Sequence, residues 1–163
     1  MGNNAYVIDT SSLIRLSGFN RRVFVTLWSN VEDIIDSERL IAPDIVLDDL
    51  KVKSDFISLW AKSHRSLFRK ITSTQLKILK DIENRYPQWI DPNSDKNQSD
   101  PYIIALALSK KREKQKGLGY SNVIVVTEES KDPNRLKIPR VCKDYGVESM
   151  NLDEFFQMEN WKF

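Results

Sequence analysis

Two short apolar runs each end in carboxylates, and this feature limits the folds open to the chain more than any other. Residues 5–8 (Ala-Tyr-Val-Ile) are followed at once by Asp9. Residues 123–126 (Val-Ile-Val-Val) are followed by Thr-Glu-Glu at 127–129. Neither run alternates apolar with polar residues, which is typical of strands buried on both faces of a parallel sheet. Because right-handed crossovers bring the carboxyl ends of such strands to one edge, we expect these acids to meet there.

Helical patterns separate the apolar runs, so the sequence predicts a layered α/β fold. Ser11 and Ser12 are expected to cap a helix after the first strand. The other predicted elements are strands at 40–42 and 147–150, helices over 21–37, 44–50, 54–60, 74–86, 100–116, 139–145 and 152–158, and a polar loop at 91–98. We therefore predict one domain over residues 1–163, a three-layer α/β/α fold with a central parallel sheet of four to five strands.

Composition excludes several kinds of site. The one cysteine, Cys142, rules out an internal disulfide and suits a reducing cytoplasm, and the one histidine, His64, argues against a histidine-based zinc site. A net charge of +2 is too small to identify a nucleic-acid binder, so any basic surface must come from local clustering. No apolar run approaches a membrane span, and no signal-peptide pattern precedes Tyr6. We expect a cytoplasmic protein without membrane association.

Carboxylates are the potential ligands that recur along the chain. Each acid alone has an ordinary explanation as a turn residue, a helix cap or a solvated side chain. Their convergence is costly, however, unless a cation binds between them, and Mg²⁺ and Mn²⁺ prefer oxygen ligands. Such an ion polarises a phosphoryl oxygen and activates water near neutral pH. The acids expected at or near the sheet edge are Asp9, Asp48, Asp49, Asp100, Glu128 and Glu129.

The order of these motifs resembles the PIN-domain nucleases, including the VapC-type toxins of toxin–antitoxin pairs, over nearly the whole chain. Residues 7–11 (Val-Ile-Asp-Thr-Ser) resemble the opening motif with the first acid, and residues 41–50 the segment that supplies the second. Residues 99–107 (Ser-Asp-Pro-Tyr-Ile-Ile-Ala-Leu-Ala) resemble the third-acid helix and are the most specific match. Residues 125–129 resemble the strand ending in Thr and a further acid, and residues 145–156 the closing strand and helix.

The resemblance implies a Mg²⁺- or Mn²⁺-dependent endoribonuclease, with RNA as substrate and a cognate antitoxin as a partner. The implied metal ligands and catalytic acids are Asp9, Asp49, Asp100 and Glu129. The family usually has Glu as the second acid and Asp as the fourth. Here the second acid lies in the doublet Asp48–Asp49, and Glu128 is a rival of Glu129. Ser11 is the hydroxyl expected beside the metal.

The sequence leaves open which cations would contact RNA and whether the protein is a nuclease at all. Six loop cations are candidates for guiding an RNA backbone: Arg65, Arg69, Lys70, Lys131, Arg135 and Lys137. We rank Lys131 and Arg135 first, because they lie closer to Glu129, and ahead of the helix-end cations of 110–116, which the helix dipole already favours. The departures at the second and fourth acids keep open a catalytically degenerate PIN-like domain that binds RNA or protein. A receiver-like or phosphatase domain fits less well, because the Lys or Thr set of a phosphorylated-aspartate site cannot be placed. A homodimer is an alternative to a monomer.

Overall fold

The protein is described from a computed structural model over residues 3–52, 55–89, 98–115, 117 and 120–163. Its strands are β1 (Asn4–Ile8), β2 (Leu40–Pro43), β3 (Phe68–Arg69), β4 (Asn122–Val126) and β5 (Glu148–Met150). They form one parallel five-stranded sheet in the order β3-β2-β1-β4-β5. The predicted α/β fold with a parallel sheet of four to five strands is confirmed.

Helices connect the strands and cover the sheet, as the alternation of patterns predicts. They are α1 (Thr10–Ser17), α2 (Val25–Asp36), α3 (Asp44–Lys51), α4 (Asp55–Ser63), α5 (Ser73–Arg85), α6 (Asp100–Gln115), α7 (Ile138–Asp144) and α8 (Leu152–Met158). Short 3₁₀ turns lie at Arg65–Leu67 and Pro87–Trp89. None of the helices in these ranges has both the length and the hydropathy needed to cross a bilayer.

The centre of the sheet is the pair formed by β1 and β4. The two strands pair in parallel along their whole length, with Ile8 opposite Val126. The last four residues of each strand are buried, as expected for strands covered on both faces. Each fully buried Val or Ile side chain stabilises the fold by roughly 1.5–3 kcal/mol. This pairing fixes the two chain segments that follow, which begin at Asp9 and Thr127, at one edge of the sheet.

Helix α6 lies at the centre of the structure and positions Asp100. Its residues from Ile103 to Ser109 are all buried, because the segment is apolar around its whole circumference. It packs against α5 on one side and against β1, β2 and β4 on the other. The Ile103 amide donates to the Ser99 carbonyl at the start of the helix. The helix therefore begins at the predicted place, with Asp100 in its first turn.

Two helix starts differ from the predictions. Helix α1 begins at Thr10, and its cap is Asp9, which has extended backbone (φ −93°, ψ 173°) and accepts from the Ser12 amide. The prediction that Ser11 and Ser12 cap this helix was therefore wrong. Helix α5 is capped by Thr72 rather than Thr74, because Thr72 also has extended backbone and accepts from the Gln75 amide.

Three smaller differences concern segment boundaries. Helix α2 is shorter than predicted, because it begins at Val25 rather than at residue 21. The short strand β3 was not predicted, since two residues are too few to show a periodic pattern. The helix start predicted at Ser54, most of the polar loop predicted at 91–98 and residue 116 lie outside the described residues.

Candidate functional site

Asp9 is held by hydrogen bonds on both of its carboxylate oxygens. Oδ1 accepts from the Ser12 amide (2.9 Å), and Oδ2 accepts from the Thr127 hydroxyl (2.6 Å). The Ser11 hydroxyl lies 2.8 Å from each oxygen. The residue is only 3% exposed, and burial raises the pKa of Asp9 to about 6, although these hydrogen bonds oppose the rise. Asp9 is therefore an oriented carboxylate with a large desolvation cost.

Asp100 and Glu129 form a close pair of carboxyl groups. Their side chains lie within hydrogen-bond reach, and a protonated Glu129 donates to Asp100. Burial raises the pKa of both groups, and for Glu129 it reaches about 7, because the charges of Asp100 and Asp9 add to the desolvation. The nearby Ile138 amide and the charge of Lys137 oppose this rise in the pKa of Glu129. Glu129 Oε1 is nevertheless buried without a hydrogen-bond partner in the described part of the chain.

Asp48 and Asp49 point in different directions, because neighbouring residues on a helix such as α3 are rotated about 100° from each other. Asp49 Oδ2 accepts a 2.9 Å hydrogen bond from the Thr10 hydroxyl, and the charge of Asp49 raises the pKa of Asp100. The Asp48 side chain is 60% exposed and lies 3.6 Å from Lys51 on its own helix. Asp49 thus belongs to the acidic site, whereas Asp48 faces solvent.

Glu128 points away from the other acids. Its Oε1 lies 3.0 Å from Arg15 on α1 and accepts a 2.9 Å hydrogen bond from the Leu152 amide at the start of α8. Arg15 also binds Asp153 at 2.9 Å, so Glu128 belongs to a network that joins α1 to α8. The geometry therefore favours Glu129 over Glu128 as the acid of the site. The Glu128 amide contributes by donating to the Ser11 hydroxyl at 3.0 Å.

The cations around the acids differ from those ranked first by sequence. Lys131 binds the Glu154 carboxylate at 2.9 Å, beside the capping box of α8. Arg135 is exposed in the loop before α7. Lys137, in contrast, is half-buried, and its charge lowers the pKa of both Asp100 and Glu129. Pro139 marks the start of α7, so the sequence places Lys137 at the end of the loop that follows Glu129. Its proximity to the acids depends on how α7 packs.

Two hydroxyl groups complete the site, and their roles were not predicted. Thr10 binds Asp49, and Thr127 bridges Asp9 to the Glu129 amide, with distances of 2.6 and 3.1 Å. Both residues stand next to a predicted acid in the sequence. Side-chain direction, which pattern alone does not give, decides what they contact.

The residues fit a hard divalent cation in their chemistry. Every candidate ligand atom is a carboxylate oxygen, and Glu129 Oε1 is a buried acceptor without a donor. Over the ranges that the structure describes, no three His, Cys, Asp or Glu side chains are already close enough to share one ion. Asp100 and Glu129 form the close pair, and Asp9 and Asp49 act on it at longer range. Mg²⁺ is usually bound by one or two carboxylates and several waters, which such a pair can supply.

Comparison with known proteins assigns the chain to a family. No curated protein matches the chain. A model of the family DUF4411, described as a domain of unknown function, matches residues 6–163. The match includes Asp9, Asp49, Asp100 and Glu129 together with the whole sheet from Tyr6 onward. The chain therefore belongs to the DUF4411 family.

Proposed function

We propose that this protein is a divalent-metal-dependent endoribonuclease that hydrolyses RNA phosphodiester bonds. The observation that carries the proposal is the convergence of Asp9, Asp49, Asp100 and Glu129 from four separate parts of the chain. Asp9 and Glu129 follow strands, and Asp49 and Asp100 lie on helices. Burying such acids together costs free energy, which is visible in the raised pKa values of Asp9 and Glu129. A fold that needs only stability has no use for this arrangement, whereas a cation site does.

In the proposed site Asp100 and Glu129 would hold the ion directly, and Asp9 and Asp49 would hold its waters. A bound Mg²⁺ or Mn²⁺ supplies polarisation of a phosphoryl oxygen and a water of lowered pKa. Ser11 and Thr127 keep the Asp9 carboxylate in one orientation. The Asp100–Glu129 pair must release its shared proton before it can bind a cation. Metal affinity should therefore rise with pH through about 7, the pKa of Glu129.

RNA as the substrate, and action as a toxin with a cognate antitoxin, rest on the resemblance to PIN-domain nucleases. The most specific segment of that resemblance, residues 99–107, forms the first turns of α6. The acids that it aligns act on one another electrostatically, because the charges of Asp9 and Asp100 raise the pKa of Glu129 and the charge of Asp49 raises the pKa of Asp100. A cytoplasmic location and a homodimer belong to the same proposal.

The test is cleavage of a panel of single-stranded and structured RNAs by purified protein with Mg²⁺, with Mn²⁺ and with EDTA. We expect cleavage with metal that is abolished by EDTA and by Asp100→Asn. Asp48→Asn is the matched control, because it removes the same charge from an exposed neighbour of the site, and it should cleave like the wild type. Any co-purified inhibitor must first be removed. If the protein then leaves every RNA intact with both Mg²⁺ and Mn²⁺, the proposal is overturned.

A second candidate is a PIN-like module that binds RNA or protein without cutting. It is favoured by the absence, over the described ranges, of three acids close enough to share an ion. The two candidates differ in one observable. The binding module would retain RNA in a gel-shift experiment with Mn²⁺ and release no product.

A further inference from the structure

Lys137 occupies a fixed position where the loop after β4 enters α7. Its backbone is extended (φ −129°, ψ 171°), and its carbonyl accepts from the Val141 amide at 3.1 Å. The next residue, Ile138, is fully buried, and its amide lies near enough to the Glu129 carboxylate to lower the pKa of that group. Pro139 fixes the first turn of the helix. The backbone of Lys137 is therefore held one residue away from a backbone amide that lies near an acid of the site.

The ammonium group of Lys137 is not committed to an ion pair. Two other cations near the sheet edge are paired, Arg15 with Glu128 and Lys131 with Glu154. None of the ion pairs within the described ranges includes Lys137, although the residue is half-buried. Partial burial of an unpaired ammonium costs free energy. A ligand that brings its own negative charge would compensate that cost.

We propose that Lys137 binds a non-bridging oxygen of the substrate phosphate at the acidic site. This inference rests on the proposed function, because it assigns the phosphate to the same crevice. The four carboxylates repel a phosphodiester, and a single divalent cation does not neutralise all of them. A cation that is not a metal ligand must therefore complement the phosphate, and lysine commonly does so as a point charge. Lys137 is the cation that acts most strongly on Asp100 and Glu129 together.

A purely structural role is the alternative, in which Lys137 only reduces the repulsion between the acids. The two roles separate in RNA binding measured against salt. We would measure binding of a fluorescent single-stranded RNA at a series of KCl concentrations, both with Ca²⁺, which keeps a divalent cation available to the acids, and in EDTA. Lys137→Met removes the charge and keeps the side-chain length. Lys131→Met is the matched control, because that ammonium is already bound to Glu154.

Phosphate binding predicts that Lys137→Met weakens RNA binding for every sequence and lowers the slope of log K against log salt by about 1. Lys137→Arg should restore most of the slope, and Lys131→Met should leave it unchanged. If Lys137→Met melts at a lower temperature but keeps the wild-type slope, Lys137 is structural and the inference is overturned. Wild-type protein that binds no RNA at low salt also overturns it. A reduced slope in a protein that cuts no RNA with Mg²⁺ or Mn²⁺ would support the phosphate contact and refute the ribonuclease.

Discussion

The Thr127 hydroxyl donates a 2.6 Å hydrogen bond to Asp9 Oδ2, so one side chain ties the ends of the two central strands together. The Thr127 hydroxyl oxygen, Oγ1, also accepts a hydrogen bond from the Glu129 amide at 3.1 Å. The contact exists because Ile8 and Val126 lie opposite each other in a parallel pair, so the next residues meet at the same edge. A residue with no charge thereby positions two of the proposed acids.

Thr127→Val should lower both stability and activity. Valine keeps the shape but leaves the Glu129 amide without its acceptor and removes one donor from Asp9. We expect a loss of about 1–3 kcal/mol in the free energy of unfolding. RNA cleavage should fall by about 10- to 100-fold, as for other partners that orient ligands. Urea denaturation and cleavage rates measure the two effects, and Thr127→Ser, which keeps the hydroxyl, should retain both properties.

Substitutions of the acids should lower the cleavage rate to different extents. Asp9→Asn and Asp100→Asn should each lower cleavage by roughly 10²-fold or more, because each removes charge from the proposed metal site. Asp49→Asn should reduce cleavage more than Asp48→Asn, since Asp49 is the one that faces the other acids. Single-turnover cleavage rates at saturating Mn²⁺ give this order. A larger effect at Asp48 would place the metal on the other side of α3.

Glu128→Gln should have little effect on cleavage, in contrast to its neighbour. The substitution removes the ion pair with Arg15, a partly exposed interaction worth about 0–1 kcal/mol. Glutamine can still accept from the Leu152 amide, so the start of α8 should be retained. We expect a small decrease in melting temperature and wild-type cleavage. A large loss of cleavage would mean that Glu128 and Glu129 exchange roles in the active protein.

Glu129→Gln should stabilise the metal-free protein at neutral and higher pH. The pKa of Glu129 is raised from 4.5 to about 7, so the folded state holds this proton longer than the unfolded chain. The wild type therefore loses stability as pH rises from about 4.5 to about 7, and the loss is complete above that range. Above pH 7 the free energy of unfolding of Glu129→Gln should exceed that of the wild type by on the order of 1–3 kcal/mol.

Melting in EDTA at pH 5 and pH 8 measures the effect of Glu129. The variant should exceed the wild type at pH 8 and by much less at pH 5, and it should gain less from Mn²⁺. Glu129 is a cleaner choice than Asp9 for this test, because one Glu129 oxygen, Oε1, has no hydrogen-bond partner that an amide group would disturb, whereas both oxygens of Asp9 accept hydrogen bonds. Equal melting of variant and wild type at pH 8 would show that the carboxylate carries no penalty.

The sequence predicted the parallel sheet correctly, for a physical reason. Residues 5–8 and 123–126 have no polar face, so they can only be central strands, and the next residues must then share an edge. The position of Asp100 could also be predicted, because Pro101 marks the start of a helix that is apolar on every face. The strand β3 was not predicted, because two residues are too few to show a repeating pattern of apolar side chains.

Side-chain direction was the part that pattern could not give. Asp48 and Asp49 have the same composition around them, and only the orientation of α3 separates them. Lys131 lies closer to Glu129 in sequence than Lys137 does, yet it binds Glu154 on α8. That contact depends on how α8 packs after β5, which is a long-range feature. The roles of Thr10 and Thr127 depend on packing in the same way.

Direct titration of Mn²⁺ into the metal-free protein tests whether these acids form a cation site. We would use isothermal titration calorimetry at pH 8, above the pKa of about 7 for Glu129, with wild type, Asp100→Asn and Asp48→Asn. We expect the wild type and Asp48→Asn to bind Mn²⁺ with the same affinity and Asp100→Asn to lose most of the binding. A wild type that binds no Mn²⁺, or an Asp100→Asn variant that binds it as tightly as the wild type, would refute a cation site at Asp100.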